Sequence, residues 1–432
     1  MPYKPLVVLV VLAVCGSASA QDTWSWGTKF EVRANYRWSQ EEQHRVPFTF
    51  PPPIPNPQFL RTVDPGHHVE LNVADVQLDL GYSDWLAARA KVHVQAKHRR
   101  NPTSEDRQID ADELWVRVGE KPEFLERPDG TSFFVQAGKF PKMERQPVRL
   151  MESYGLAATS FNRFEDLQLL AGGTIGRNFY WRVQLANGNP LYFRDPNALA
   201  GDNGTPASFS LDPEFQSGFP IFYNAETEDL VFDTSHLQVG EALGYRWQSA
   251  DENLGFDAIV FHYQRDLADT VKLTGSLYGG DLDLLQVTPA EVGTLTAVAG
   301  FPIDGRRKQE YGVRVYGEWG NATAIVQYTA QEIAGLERYG WEVEGGYRIP
   351  FAFGPVESIQ PAVRVSAIEN QFPGAPPFPT PSLWWDWKKY DAGVRVGLER
   401  GLDVTFEYTT HRIESTFALG MRETLVTLRW RV

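Results

Sequence analysis

The sequence lacks several features that helical membrane proteins and most soluble enzymes have. It holds one cysteine, Cys15, and no run of the roughly 20 apolar residues that a membrane-spanning helix needs. Helical periodicity is not apparent after the first residues. With a formal net charge of −14, the chain also has no excess of basic residues for phosphate binding. These absences exclude a bundle of transmembrane helices and argue against nucleic acid as a partner.

The first 20 residues have the pattern of a secretory signal peptide. Lys4 precedes the apolar run Leu6–Val14, and Ala18-Ser19-Ala20 forms an A-x-A cleavage site. Cleavage after Ala20 would remove Cys15, so the mature chain would have no disulfide and no thiolate metal site. The sequence therefore predicts a signal peptide over 1–20 and a single domain over 21–432, outside the inner membrane.

Apolar and polar side chains alternate along most of the remaining chain. Between Phe30 and Trp38 the even positions are apolar or aromatic and the odd positions are polar or charged, which is the period of a β-strand. Such stretches run about 9–13 residues, which is long for a soluble sandwich and suits a strand that crosses a bilayer at a tilt. Aromatic residues near the strand ends are typical of interfacial girdles. An all-β fold, a transmembrane antiparallel β-barrel, is predicted.

Short and long connections alternate between these strands. Turn residues occupy 81–85, 176–178, 319–321 and 399–401, whereas 40–68, 141–166, 188–235, 266–308 and 370–386 are long. Bacterial outer-membrane barrels alternate short periplasmic turns with long external loops in the same way. The prediction is about 16 strands, or 18 if 270–287 also crosses, in the outer membrane of a Gram-negative bacterium. The strands are expected near 26–40, 69–81, 85–98, 109–119, 132–140, 167–176, 179–187, 236–248, 256–265, 309–319, 321–332, 339–349, 358–369, 387–399, 402–412 and 420–432.

A barrel of this size is wide enough for an aqueous lumen. Charged residues on the polar faces are solvated there and can bias ion flux, or they can pair across neighbouring strands and hold the wall together. Both interpretations stay open for each residue. The predicted pore-lining residues are Arg33, Arg37, Arg89, Lys91, Lys97, Arg117, Arg182, Arg314, Glu342, Glu344, Arg348 and Arg395.

The loop 188–235 is a candidate for a constriction inside the pore. It combines aromatic and charged residues, and Tyr192, Arg194 and Asp195 are the predicted constriction residues. An external lid is an equally good interpretation of the same loop.

Catalytic and metal motifs are not found. The eight histidines are scattered, without H-E-x-x-H spacing, and no G-x-S-x-G elbow occurs. His93 and His411 are the best candidates for a catalytic role, and a wall position explains each of them more simply. We expect no enzyme activity, no metal and no cofactor.

Four blocks carry a family resemblance: Asp112 to Val118, Phe134 to Pro141 with Glu144, Leu167 to Leu169, and Gln184 to Asn189. Together they resemble the phosphate-selective porin family of Gram-negative outer membranes, and the general pattern is also similar to alginate-export-type porins. The first resemblance implies an outer-membrane channel for anions. The chain departs from that family in its net negative charge and in ending on Val432 instead of phenylalanine.

The expected function is a channel for passive diffusion of small hydrophilic or charged solutes, surrounded by outer-membrane lipid. Two alternatives remain: a structural or adhesive barrel with partner-binding loops, and a polysaccharide-export barrel. The mixed signs of the predicted lumen charges indicate weak selectivity. Assembly as a homotrimer is left open.

Overall fold

A computed structural model describes most of the chain. It covers residues 23–40, 43–45, 59–61, 66–83, 85–94, 109–122, 124–126, 130–161, 165–187, 222–223, 237–266, 271–277, 280–287, 307–333, 335–371, 386–414 and 418–432.

Sixteen strands form one closed antiparallel sheet. Each strand pairs with the next along the chain, and the last strand pairs with the first. We number them β1 (Trp24–Ser39), β2 (Gly66–Tyr82), β3 (Leu86–Val94), β4 (Ile109–Gly119), β5 (Phe133–Pro141), β6 (Glu165–Ile175), β7 (Phe179–Ala186), β8 (Gln238–Gln248), β9 (Leu254–Asp266), β10 (Arg307–Trp319), β11 (Ala322–Ile333), β12 (Leu336–Tyr347), β13 (Val356–Asn370), β14 (Asp386–Leu398), β15 (Leu402–Glu414) and β16 (Ala418–Arg431). The predicted barrel and its predicted strand positions are confirmed.

The segment that could have added two strands lies outside the barrel sheet. Val271–Leu277 and Gly280–Val287 pair with each other as a hairpin, and Phe222–Tyr223 joins them as a third strand. The barrel therefore has sixteen strands, and the eighteen-strand alternative is wrong. Three further short strands are Gln43–Arg45 paired with Phe59–Arg61, and Ile349–Phe353, which continues β12 and pairs with β13.

The turns at one end of the barrel have the backbone geometry that their residues predict. Gly176 has a φ of +65° between β6 and β7, a region in which a side chain would strain the backbone. Gly401 has a φ of +74° between β14 and β15, and a β carbon there would overlap the carbonyl oxygen of Arg431. The beginning of β1 at Trp24 and the end of β16 at Arg431 lie at this short-turn end.

The two faces of the barrel differ as expected for a strand with one lipid face and one water face. Outward residues include large, exposed apolar side chains such as Leu243 and Val260, while the buried charged residues of the same strands, such as Arg246 and Asp257, point inward. Aromatic rings gather near the short-turn end, where Trp24 lies 4.8 Å from Tyr82 between ring centroids and Phe179 lies 4.9 Å from Tyr245. None of the helices in the described ranges is long and apolar enough to cross a membrane.

Candidate functional site: an inward segment and a basic cavity

The connection between β5 and β6 folds into the lumen. Its described part, 142–161, leaves and returns on neighbouring strands, because Pro141 and Glu165 are register partners. Leu150, Met151 and Leu156 on this connection are almost completely buried, although the chain here is only a loop with the short helix α1 (Leu156–Ser160). We call residues 142–161 the inward segment.

Carboxylates of the opposite wall accept hydrogen bonds from the inward segment. Glu344 on β12 accepts from the backbone N–H of Leu150 at 2.9 Å. Glu407 on β15 accepts from two successive backbone N–H groups, those of Glu152 and, at 3.1 Å, Ser153. These bonds satisfy backbone groups that the lumen would otherwise leave without a protein partner.

Cations of the same wall donate to carbonyl oxygens of the inward segment. Arg364 on β13 donates to the Ser153 carbonyl at 2.9 Å, and Lys389 on β14 donates to the carbonyl of Tyr154 at 2.5 Å. Arg364 also binds Asp391 at 2.9 Å, so wall charges pair with each other behind the segment. Buried charged residues of β12 to β15, such as Glu344, Arg364 and Lys389, thus hold the inward segment.

One carboxylate of the inward segment meets four guanidinium groups. Glu152 is completely buried and lies 2.8 Å from Arg395, 2.9 Å from Arg429, 3.1 Å from Arg149 and 3.8 Å from Arg33. Burial by itself raises the pKa of Glu152, but the four arginines outweigh it and hold that pKa well below its usual range. Glu152 is therefore ionised at neutral pH.

A cavity of about 840 Å³ lies on the other side of the inward segment. Thirteen Lys and Arg side chains line it, against five Asp and Glu. The cavity is therefore basic even though the whole chain is acidic. The inward segment separates it from the buried carboxylates of β12 to β15, none of which lines it.

The most basic part of the cavity surrounds Tyr180 on β7. The guanidinium carbons of Arg182 and Arg246 lie 4.8 and 4.5 Å from the centre of its ring, within cation–π range. The Tyr180 hydroxyl donates to Asp257 at 3.0 Å, and the same carboxylate oxygen accepts from Arg314. Asp257 forms an ion pair with Arg314, and none of the described ion pairs includes Arg182. The group of Arg182, Arg246, Arg314 and Asp257 therefore carries more positive than negative charge.

Two glycines make room for this arrangement. A β carbon on Gly244 would overlap the Tyr180 ring, and one on Gly172 would crowd both Arg182 and Phe134. The inward positions of the Tyr180 ring and the Arg182 guanidinium on β7 therefore depend on these small residues in β6 and β8.

Nine of the twelve predicted pore-lining residues occupy two kinds of position. Arg33, Arg89, Lys91, Arg117, Arg182 and Arg314 line the cavity. Glu342, Glu344 and Arg395 contact the inward segment, through Gln146, Leu150 and Glu152 respectively. Arg37 is buried on β1, Arg348 is exposed just beyond β12, and Lys97 lies outside the described residues.

The predicted constriction residues Tyr192, Arg194 and Asp195 lie outside the described residues. In the part of the chain that the structure describes, the loop between β5 and β6 enters the lumen. Sequence reasoning noted that connection only for its length and missed Arg149 and Glu152 as lumen residues. The available signal was its apolar content, since Leu150, Met151, Leu156 and Phe161 are unusual in a solvated external loop.

The two histidines considered for catalysis lie in the wall. His411 on β15 is buried, accepts from the Trp387 indole at 3.0 Å and lies 2.9 Å from Glu423. His93 on β3 lies 2.8 Å from Asp75. No group of three or more potential metal ligands occurs among the residues that the structure describes.

Comparison with known proteins gives structural neighbours only. No family model matches the sequence, and no curated protein matches it. Among solved structures, the outer-membrane channel DcaP of Acinetobacter baumannii matches with a TM-score of 0.53 and 7% identity, over 95% of this chain and 97% of that one. OmpF of Salmonella typhi, in a complex with daunomycin, matches with a TM-score of 0.51 and 10% identity, over 94% and 97%. OprB of Pseudomonas putida has a TM-score of 0.50 and 10% identity, over 94% of both chains.

The chain thus has the fold of the Gram-negative outer-membrane porins. At this low identity the likeness concerns the fold alone. The resemblance to porins in general holds, whereas the narrower one to phosphate-selective porins has no matching family model behind it.

Proposed function

We propose that this protein is a channel in the outer membrane of a Gram-negative bacterium, through which small hydrophilic solutes diffuse passively, and that it prefers anions. The observation that carries the proposal is the charge of the cavity, with thirteen basic and five acidic side chains. In a confined space with low-dielectric walls, such an excess concentrates anions and repels cations.

The inward segment supports a preference for anions over cations. Most buried acidic residues of β12 to β15 bind its backbone or neighbouring cations, as Glu344, Glu407 and Asp391 do, so they contribute little to the aqueous path. The cavity lining comes mainly from the wall β1 to β10, where arginines outnumber carboxylates. The net charge of −14 therefore does not argue against anions as solutes.

The narrower proposal is that phosphate is the solute, as the resemblance of 112–118 and 134–141 implies. The basic cavity is compatible with it. Removal of residues 1–20 as a signal peptide and assembly as a homotrimer belong to the same proposal, as does the absence of enzyme activity.

Reconstitution in a planar lipid bilayer tests the channel. Purified, folded protein under a KCl gradient is expected to give stepwise ionic currents, with a reversal potential that indicates chloride preference. Replacing chloride by phosphate as the anion tests the narrower proposal that phosphate is the solute. Absence of current through folded protein contradicts the proposed channel and favours a structural barrel plugged by its inward segment. A reversal potential that indicates preference for potassium contradicts the proposed preference for anions.

A further inference from the structure

Arg33 on β1 and Arg429 on β16 are register partners at the seam where the first and last strands close the barrel. Two like charges directly opposite each other destabilise a strand pair. Arg395 on β14 lies close to the same group, at 3.9 Å from Asp403, which also binds Arg429 at 2.8 Å. Three wall strands thus bring guanidinium groups to one place in the lumen.

The inward segment delivers a single carboxylate to this place. Glu152 lies within 4 Å of Arg33, Arg395 and Arg429 and also of Arg149 on its own segment. Arg33 and Arg429 have further carboxylates, Glu31 at 2.5 Å and Asp403 at 2.8 Å. Among the described ion pairs, Arg149 has only Glu152.

The geometry places these groups in two layers. Arg33, Arg149 and Arg429 line the cavity, whereas Glu152 is absent from the lining and lies behind them. A solute in the cavity would therefore meet the arginines and not the carboxylate. Since Coulomb interactions in a site of low dielectric act over several ångströms, the hidden carboxylate still weakens the field of those arginines.

We propose that Glu152 is a specificity-determining residue of the channel, which lowers its anion preference by neutralising the arginines at the seam without touching the solute. This inference rests on the proposed channel function and adds to it the residue that limits selectivity. Glu152 also binds both arginines that are register partners at the seam, and so adds to Glu31 and Asp403 in reducing the repulsion between them.

A double-mutant cycle in the whole protein tests the inference. E152Q removes the negative charge and should raise the chloride-to-potassium permeability ratio by about twofold, since one unit charge acts at short range in partly screened surroundings. R149Q removes one of the paired positive charges and should lower the ratio. The variant carrying both substitutions loses one charge of each sign and should return close to the wild-type ratio.

The cycle separates an electrostatic role from a merely structural one. If Glu152 only held the segment in place, both single variants would widen the pore, raise the conductance and move the ratio toward that of bulk solution. That result, or an unchanged ratio in E152Q, overturns the inference while leaving the channel itself intact. Wild-type protein that gives no current overturns the proposed function, and the inference with it.

Discussion

Gly155 of the inward segment packs directly against the carboxylate of Glu342 on β12, so closely that a β carbon on Gly155 would overlap that carboxylate. Glu342 is buried and accepts a hydrogen bond from the Gln146 side-chain amide at 2.9 Å, at the beginning of the same segment. This contact fixes how near the segment lies to the wall.

We therefore expect G155A to push Glu342 aside and loosen the segment. Overpacking of a dense site typically costs about 1–3 kcal/mol of unfolding free energy. In G155A, part of that cost is the loss of the hydrogen bond that Gln146 donates to Glu342. The expected result is noisier single-channel current and a lower thermal unfolding temperature. G27A is the matched control, since a β carbon on Gly27 would have no atom within 4 Å. Equal behaviour of the two variants would show that the segment is not tightly held.

The pH dependence of the channel should reflect the low pKa of Glu152. For a carboxyl whose folded pKa lies below its unfolded value, the stabilisation is fully present above the unfolded pKa and is lost as pH falls through the folded pKa. The unfolded value for Glu is about 4.3, so the contribution of Glu152 should persist from neutral pH to below about pH 4.

Conductance and reversal potential measured from pH 7 downward, in wild type and in E152Q, check this expectation. The difference between the two proteins should stay constant until the solution is more acidic than about pH 4. The subtraction removes the titration of other lumen carboxylates, which both proteins share. A difference that disappears between pH 6 and 5 would show that Glu152 titrates as an ordinary exposed carboxyl.

The wall of the barrel could be predicted from the sequence because its signal is local. Alternation at period two marks each strand wherever it occurs, and Gly176 and Gly401 mark turns. The same locality explains why 270–287 stayed open, since a strand pattern does not reveal whether the strand joins the barrel or a separate hairpin.

The interior could not be predicted in the same way, because its contacts link residues far apart in the chain. Glu152 meets Glu407 and Arg395 across about 240 to 260 positions, and only the closed barrel brings them together. The alternation of polar and apolar residues did place Arg33 and Arg182 on the inward face. It could not tell that Arg33 shares carboxylates whereas Arg182 contacts aromatic rings and carbonyl oxygens.

Arg182 and Arg89 should contribute unequally to the anion preference. Arg182 takes part in no described ion pair, whereas Arg89 lies 2.6 Å from Asp79 and 3.3 Å from Glu113. Arg182 is 6% exposed, whereas the side chain of Arg89 is 29% exposed, so water screens the charge of Arg89 more strongly and its removal changes the field of the cavity less.

We expect R182Q to reduce the chloride-to-potassium permeability ratio clearly and R89Q to change it less, although both residues line the same cavity. The reversal potential under a KCl gradient is the measurement, and the two variants control each other for the loss of one positive charge. An equal reduction in both would mean that screening by water does not distinguish the two charges.

The outward face of the barrel should reject charge according to depth in the membrane. Val260 lies in the middle of β9 and is exposed on the outer face, while Val239 lies near the end of β8 on the same face. An arginine on the lipid face costs about 2–4 kcal/mol at the bilayer midplane and about 0–1 kcal/mol near the interface.

V260R should therefore lower the yield of folded protein in lipid vesicles much more than V239R, as measured by the fraction resistant to protease. Similar yields would place Val260 away from the lipid core, and would contradict the orientation of β9 on which the inward positions of Asp257 and its neighbours depend.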